Sequence, residues 1–257
     1  MFSFWLSNSQ HASEAERGEN MNQNTNSTQT VDVLVVGGGV NGAGVALDAA
    51  GRGLSVALCE KGDLAGATSS SSSKLIHGGL RYLEHYEFRL VKEALAEREV
   101  LLEKAPHIMW PLRFSLPHQK HLRPAWMIRI GLFMYDSLAK RNVLPRSKKM
   151  STSPTGPLVN DITTCFEYSD GWVDDARLVV LNALAAQDKG ASIYTRTECI
   201  SAEKQDKLWK VTLKDALGKT FTINAKAVVN AAGPWAVSFL DRLADTKNPN
   251  AMRMVKG

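Results

Sequence analysis

Three consecutive glycines, Gly37 to Gly39, stand between an apolar, β-branched run and an alanine-rich stretch, and no other feature restricts the fold of this chain as strongly. Val31, Val33, Leu34, Val35 and Val36 read as a buried strand, the residues up to Arg52 read as a helix, and a second strand runs from Ser55 to Glu60. In that context Gly37, Gly39 and Gly42 fall in G-x-G-x-x-G register. The first lets the chain turn tightly, the second lets backbone approach a pyrophosphate, and the third lets helix and strand pack closely. The helix start, which includes Asn41, offers N–H groups and about half a positive charge to phosphates. Glu60 ends the second strand at the spacing of a ribose acceptor, where a carboxylate accepts from both ribose hydroxyls. An unphosphorylated adenosine ribose is therefore expected. The motif implies a dinucleotide and leaves FAD and NAD open.

A chain of 257 residues with 44% hydrophobic and 22% charged residues has the composition of a globular protein of one or two domains. Its net charge of +5 allows an acidic substrate or an anionic membrane surface. No nucleic-acid motif accompanies the charge, so no nucleic-acid partner is expected. Cys59, Cys199 and Cys165 are widely spaced, odd in number and form no CxxC, which argues against a metal site and a disulfide framework. Residues 1–30 open with MFSFWL and continue in Asn, Gln, Ser and Thr. They read as a disordered tail, with Met21 a second candidate start and Phe2, Phe4 and Trp5 a minor membrane-touching option.

Beyond Glu60 five serines in a row, Ser69 to Ser73, lie where there is no domain boundary for a linker to span. Hydroxyls beside a nucleotide site can hydrogen-bond phosphate or polyol oxygens. Gly78 and Gly79 allow backbone to lie against a flat ring, with His77, Arg81 and Tyr82 at the same face. Phe88 to Lys104 reads as a scaffold helix whose Lys92, Glu93, Glu97 and Arg98 belong to a solvated face, ended by Pro106. Leu122 to Arg141 is too short and too charged to span a bilayer, and is read either as a basic amphipathic helix lying on a membrane or as a core helix. Pro145 to Asp161 reads as a basic, Ser/Pro-rich loop. A helix starts near Asp174, where Asp174 or Asp175 can cap it, and Gly190 lies beyond its end. Strands follow at Ser192 to Arg196, near Ile200, at Trp209 to Leu213 and at Thr220 to Asn224, giving a β-meander on the parallel sheet, with one more buried strand at Ala227 to Asn230. The small residues Ala231, Ala232 and Gly233 before Trp235 offer a second close approach to a cofactor, which favours flavin over NAD.

The string ATSSSSSKLIHGGLRYLEHYEFRLVKEALAEREVLL (Ala67 to Leu102) resembles the flavin-binding and active-site segment of aerobic, FAD-dependent glycerol-3-phosphate dehydrogenases. The resemblance continues in LRPAWMIRIGLFMYD (Leu122 to Asp136), FEYSDGWVDDARLV (Phe166 to Val179) and VVNAAGPW (Val228 to Trp235), and covers most of the chain beyond Thr30. It implies an α/β, Rossmann-like FAD-binding fold, a parallel sheet plus β-meander, with the substrate domain incomplete here because the family's chains continue beyond Gly257. The FAD-binding domain would occupy 31–105 and 165–257, and 106–164 would be an inserted amphipathic and loop segment with possible membrane attachment. FAD would be held by Gly37, Gly39, Asn41, Gly42, Glu60, Thr68, Ser69, Ser70, Ser73, Lys74, Leu75, His77, Gly78, Gly79, Cys199, Ala232, Gly233 and Trp235. Gly171 stands where the family usually has cysteine, so no redox role attaches to it.

The implied reaction is oxidation of sn-glycerol 3-phosphate to dihydroxyacetone phosphate. A base takes the C2 hydroxyl proton while the C2 hydride moves to flavin N5, and electrons pass to a respiratory quinone. His77 is a candidate for proton handling or ring orientation, or a structural histidine; Arg81 for phosphate or alkoxide binding; Tyr82 for lining the site or core packing. The resemblance further implies a cytoplasmic protein, peripheral on the inner face of the cytoplasmic membrane, and a possible homodimer. The alternatives are a flavin-dependent amine or amino-acid oxidase, a cofactor-binding module without turnover, and a NAD-linked dehydrogenase.

Overall fold

The structure, a computed structural model, describes residues 29–119, 121, 123–151, 158 and 162–243. The tail expected over the first residues and the chain's last residues lie outside the described part. In chain order the elements are β1 (Gln29–Val36), α1 (Val40–Gly51), β2 (Val56–Cys59), β3 (Leu75–Ile76), α2 (Phe88–Lys104), β4 (Met109–Pro117), α3 (Ala125–Ser137) and β5 (Lys148–Ser151). There follow β6 (Thr164–Val173), α4 (Asp175–Asp188), β7 (Ser192–Tyr194), β8 (Thr197–Gln205), β9 (Leu208–Asp215), β10 (Thr220–Asn230) and α5 (Ala236–Leu243).

Two sheets result. The first has strand order β7-β2-β1-β10-β9-β8, parallel from β7 to β10 and antiparallel from β10 to β8, which is the expected parallel sheet with its meander. β1 is central: Val33 pairs with Val56 on one side and with Ala227 on the other. Its residues alternate between two cores, as a strand buried on both faces requires. Val35 packs with Ala46, Ala49, Ala50 and Ala186 of α1 and α4. Leu34 and Val36 pack with Val211, Leu213, Ile223 and Phe239 across the sheet. Alanines on α1 let the helix lie close against the faces of β1 and β2, where Ala46, Ala49 and Ala50 pack with Val35, Val56 and Leu58.

β10 is one strand of eleven residues, where the sequence reads as two. Ala225 and Lys226 break the β-branched pattern, yet Ala225 is fully buried beside Trp209 and the Lys226 ammonium reaches Asp32 at 2.7 Å, so the ladder runs through. Segment 106–164 also differs from the expected helix and loops, because β4 and β5 both pair with β6 in a second, antiparallel sheet. Pro111 and Pro117 hide β4 from a sequence reading, since proline removes a ladder donor. Among the described residues β4 pairs on one side only, where proline is tolerated. Residues 152–157 and 159–161 of the expected Pro145 to Asp161 loop lie outside the described part.

α2 spans the expected residues, but its buried stripe is Val91, Leu95, Arg98, Glu99 and Leu102. Arg98 was expected on the solvated face and is instead 0% exposed. Its guanidinium forms an ion pair with Asp170 of β6 and lies 3.3 Å from Glu99. The second carboxylate oxygen of Glu99 accepts from the Asn142 and Val143 N–H groups. A charge in the interior costs several kcal/mol unless it is paired in this way, and helical periodicity alone does not reveal the partner. α3 is two-sided: Leu132, Tyr135 and Asp136 are buried, while Trp126, Met127, Ile130 and Phe133 are exposed. It is therefore not a fully buried core helix. Among the described residues no helix is long and apolar enough to cross a membrane. α4 begins as expected, with the Asp174 carboxylate accepting from Arg177 N at 3.2 Å.

Replacing Arg98 by Met leaves Asp170 and Glu99 buried without their cation. The expected loss is about 3–5 kcal/mol, read as a lower denaturant midpoint in the full chain.

Candidate functional site

A cavity of about 440 Å3 opens beyond the carboxyl ends of β1 and β2, where ligands bind in open α/β sheets. Of the residues singled out from sequence, Gly37, Gly39, Glu60, Thr68, Ser69, Cys199, Ala232, Gly233 and Trp235 line it. Gly37 has φ +113°, and a Cβ there would stand 2.4 Å from the Ala231 carbonyl oxygen. A Cβ on Gly42 would stand 1.9 Å from the Gly37 carbonyl oxygen. The first and third glycines of the motif thus act through backbone clearance, and the cavity wall between Gly37 and Ala232 is main chain.

Glu60 is held by two backbone donors: its carboxylate accepts from Gly38 N at 2.7 Å and from Gly62 N at 2.8 Å. A carboxylate has about four acceptor positions, so both oxygens can accept again from ribose hydroxyls. At the start of α1 the Ser69 hydroxyl accepts from Val40 N at 2.9 Å, which ties the serine loop to the end of the helix that favours anions. A main-chain cradle, an anchored carboxylate and a helix N-terminus around one elongated space fit the pyrophosphate and ribose of a dinucleotide. Cys59 and Cys199 also line the space. Burial, with the Cys199 sulfur beside it, pushes the Cys59 thiol far up; burial, with Glu198 adding, pushes Cys199 up to about 12. Both remain thiols at neutral pH and pack as small apolar groups.

Several lining residues were not anticipated from sequence. The Lys61 ammonium lies 4.5 Å from the centre of the Trp235 ring, and Thr197, Glu198, Ser238 and Phe239 also line the cavity. Lys61 was accessible from its place beside Glu60. Thr197 was not: it reaches the site because its N–H bonds the Glu60 carbonyl at 2.8 Å, a contact between segments far apart in sequence.

The other singled-out residues lie outside this cavity. Asn41 is exposed in the first turn of α1, Gly42 is buried beneath it, and Ser70 and Ser73 are exposed in the loop. Lys74 has φ +56°, and its ammonium lies 2.5 Å from the Asp175 carboxylate, which also accepts from the Ser72 hydroxyl at 2.7 Å. Burial alone would raise the Asp175 carboxyl, but Lys74 and Ser72 outweigh it and bring it down to about 2. Leu75 pairs with Trp172 in the second sheet. Next comes a compact turn. Gly79 has φ +68° and its N–H donates to His77 Nδ1 at 2.9 Å, while the Tyr82 ring lies against Gly79 so closely that a Cβ there would stand 2.4 Å from it. Arg81 and Tyr82 are exposed in the 3-10 turn Leu80–His85. Since Nδ1 is an acceptor, the neutral His77 ring carries its proton on Nε2 and presents a donor there. Gly171 is buried, and the Met109 methyl fills the space a side chain at this position would take. Among the described residues no cluster of His, Cys, Asp and Glu is arranged to hold a metal ion.

Residues 32–257 match the FAD dependent oxidoreductase (DAO) family, and the chain belongs to that family. It is 62% identical to a glycerol-3-phosphate dehydrogenase of Pseudomonas tolaasii over 89% of its own length and 45% of the relative's. It is 55% identical to a D-erythritol 1-phosphate dehydrogenase of Brucella abortus over 89% of this chain and 46% of that one. Among solved structures, the glycerol-3-phosphate dehydrogenase of Bacillus halodurans complexed with FAD superposes with a TM-score of 0.61 at 29% identity, covering 88% of this chain and 38% of that one. The chain thus spans about half the length, or less, of these relatives. FAD is the family's cofactor, which decides between the two dinucleotides left open by the glycine motif.

Gly42→Ala places a methyl group against the Gly37 carbonyl, and the expected outcome is protein purified with little or no FAD, read from its absorbance near the visible flavin bands. The Lys74–Asp175 pair makes a second expectation. Because the Asp175 carboxyl is depressed from 3.8 to about 2 in the folded state, its contribution to stability is present above pH about 4 and is lost as the pH falls through about 2. Thermal midpoints of the native chain and of Asp175→Asn should differ at neutral pH and converge on acidification.

Proposed function

We propose that the protein containing this chain oxidises sn-glycerol 3-phosphate to dihydroxyacetone phosphate, with FAD in the cavity between Gly37, Glu60 and Ala232. The observation that carries the reading is the pairing of that main-chain cradle with the compact His77–Tyr82 turn that follows the serine loop, in a chain resembling two enzymes named for phosphorylated polyols. Gly37, Gly39, Ser69 and the start of α1 would hold the pyrophosphate, and Glu60 the ribose. When bound, FAD supplies a hydride acceptor. The protein's own part is to bind, orient and handle the proton. Arg81 is exposed and available as a planar donor fork for the substrate phosphate or a developing alkoxide. His77 offers Nε2–H as a donor that can orient the ring or stabilise negative charge; in this hydrogen-bonded state it is not the base. Tyr82 borders the same turn. A longer polyol phosphate is the second reading, favoured by the similarity to the D-erythritol 1-phosphate enzyme.

Electron transfer to a quinone at a membrane surface belongs to the same proposal. The apolar face of α3, with Trp126, Met127, Ile130 and Phe133 outward, supports it, since an amphipathic helix of this kind can bury aromatic side chains in the interface. The expected location is the inner face of the cytoplasmic membrane, as a peripheral protein and possible homodimer.

Anaerobic addition of sn-glycerol 3-phosphate to the full-length holoenzyme should bleach the flavin absorbance, whereas glycine and D-amino acids should not. Bleaching by D-erythritol 1-phosphate alone would move the assignment to the longer substrate, and bleaching by amino acids alone would overturn it. Arg81→Ala is expected to raise KM for the phosphorylated substrate about tenfold to hundredfold, in line with about 1.5–3 kcal/mol for a charge-assisted hydrogen bond.

A further inference from the structure

The turn that carries His77 is attached to the rest of the molecule at an unexpected place. Gly78 is buried between Leu95 of α2 and Tyr135 of α3, and a Cβ on it would stand 2.4 Å from the Leu95 side chain and 2.9 Å from the Tyr135 ring. Its N–H donates to the Tyr135 hydroxyl at 2.8 Å. That hydroxyl in turn donates to the Asp170 carboxylate at 2.7 Å, and Asp170 is ion-paired with Arg98. The ring is fixed as well: the guanidinium groups of Arg98 and Arg141 lie 5.8 and 5.7 Å from its centre, and Tyr168 meets it edge-on at 6.5 Å. Tyr135 is 0% exposed, so its hydroxyl is out of contact with bulk solvent.

From this geometry we infer that Tyr135 is a positioning residue for the reaction: its hydroxyl fixes the Gly78 N–H and thereby sets where the His77 ring and the Gly78–Gly79 backbone stand. The inference rests on the placement of the His77–Tyr82 turn at the reacting end of the cofactor, as proposed above. The hydroxyl works in one direction only. It accepts from Gly78 and gives its single proton to Asp170, a polarity that the carboxylate imposes because it cannot donate. Burial, and then the negative charge of Asp170, push the phenol far above its ordinary value, so the hydroxyl keeps its proton across the physiological pH range. Phenylalanine keeps the ring and its neighbours and removes the hydroxyl, taking away the acceptor of Gly78 and one donor of Asp170, whose carboxylate keeps its ion pair with Arg98. Gly78 N–H is then a buried donor without a partner, and the turn must move to find one.

The experiment compares Tyr135→Phe with the native protein, both as full-length FAD holoenzyme. Hydrogen exchange over residues 75–82 is expected to accelerate by about tenfold or more. Flavin reduction at saturating substrate is expected to slow by about tenfold to hundredfold, the size of effect that a small misplacement produces, while KM and FAD content stay within about twofold of the native values. A merely structural role would lower FAD content and thermal midpoint without this split between rate and KM. Unchanged exchange over 75–82 overturns the inference, as does faster exchange with an unchanged rate of reduction. Should Tyr135→Phe fail to fold, the Gly78 amide of the native holoenzyme decides: it must exchange as slowly as amides of β1, and exchange at the rate of an exposed loop overturns the inference. Failure of the functional reading is distinguishable, because exchange needs no substrate and the rate can be read with whichever substrate bleaches the flavin.

Discussion

Two stretches of main chain far apart in sequence meet where Gly37 lies against Ala231 and Ala232 with no room for a side chain at Gly37, and the candidate site depends on that contact. The hydrogen bond from Ala231 N to the Val36 carbonyl, at 2.8 Å, continues the β1–β10 ladder past the last paired residues and brings the second small-residue turn to the first. Glycine at 37 satisfies both the positive φ and the clearance to Ala231, and glycine at 42 lets α1 begin close under the same turn. A cavity wall of bare backbone is the result. Two side chains of the site are anchored beside this frame: Glu60 by the N–H groups of Gly38 and Gly62, and Ser69 by the first N–H of α1.

The nucleotide half of the molecule was legible from sequence because its determinants are local. A glycine spacing, an alanine-rich helix and an acid at the end of the next strand all lie within thirty residues, Val31 to Glu60, and the structure places Gly37, Gly39 and Glu60 on one cavity. The second sheet was not legible. β4 contains two prolines and β5 is four exposed residues, two of them lysines, so each takes its strand conformation from β6 rather than from its own composition. Arg98 was misplaced for the same reason. A charged residue on a helix reads as solvated until its counter-charge, here on a strand more than seventy positions later, is known.

The buried polar cluster changes how the helical layer is to be understood. α2 and α3 do not meet the second sheet through apolar contacts alone; Val91 and Leu95 share the interface with Arg98, Glu99, Tyr135, Asp136 and Asp170. Such a network contributes little net stability compared with an apolar core of the same volume, but its donors and acceptors fit in one arrangement. The Gly78–Tyr135 hydrogen bond ties the turn into that one arrangement. It also means that α3, apolar and open on one side, is bonded on the other to the turn carrying His77.

The parallel pairing of β1 with β10 has a consequence for the way the protein is made. Val33 pairs with Ala227, so the strand at the centre of the sheet waits for a partner encoded about 190 residues later. At roughly 5–20 residues per second, ribosomal synthesis leaves β1 with one edge unpaired for roughly 10–40 seconds. During that interval the nascent chain exposes a valine-rich strand edge of the kind that pairs with other chains. Vulnerability to aggregation is thus greatest before the segment around β10 emerges, and a chaperone that shields the first βα unit would act on this chain earlier than on one whose central strands are neighbours in sequence.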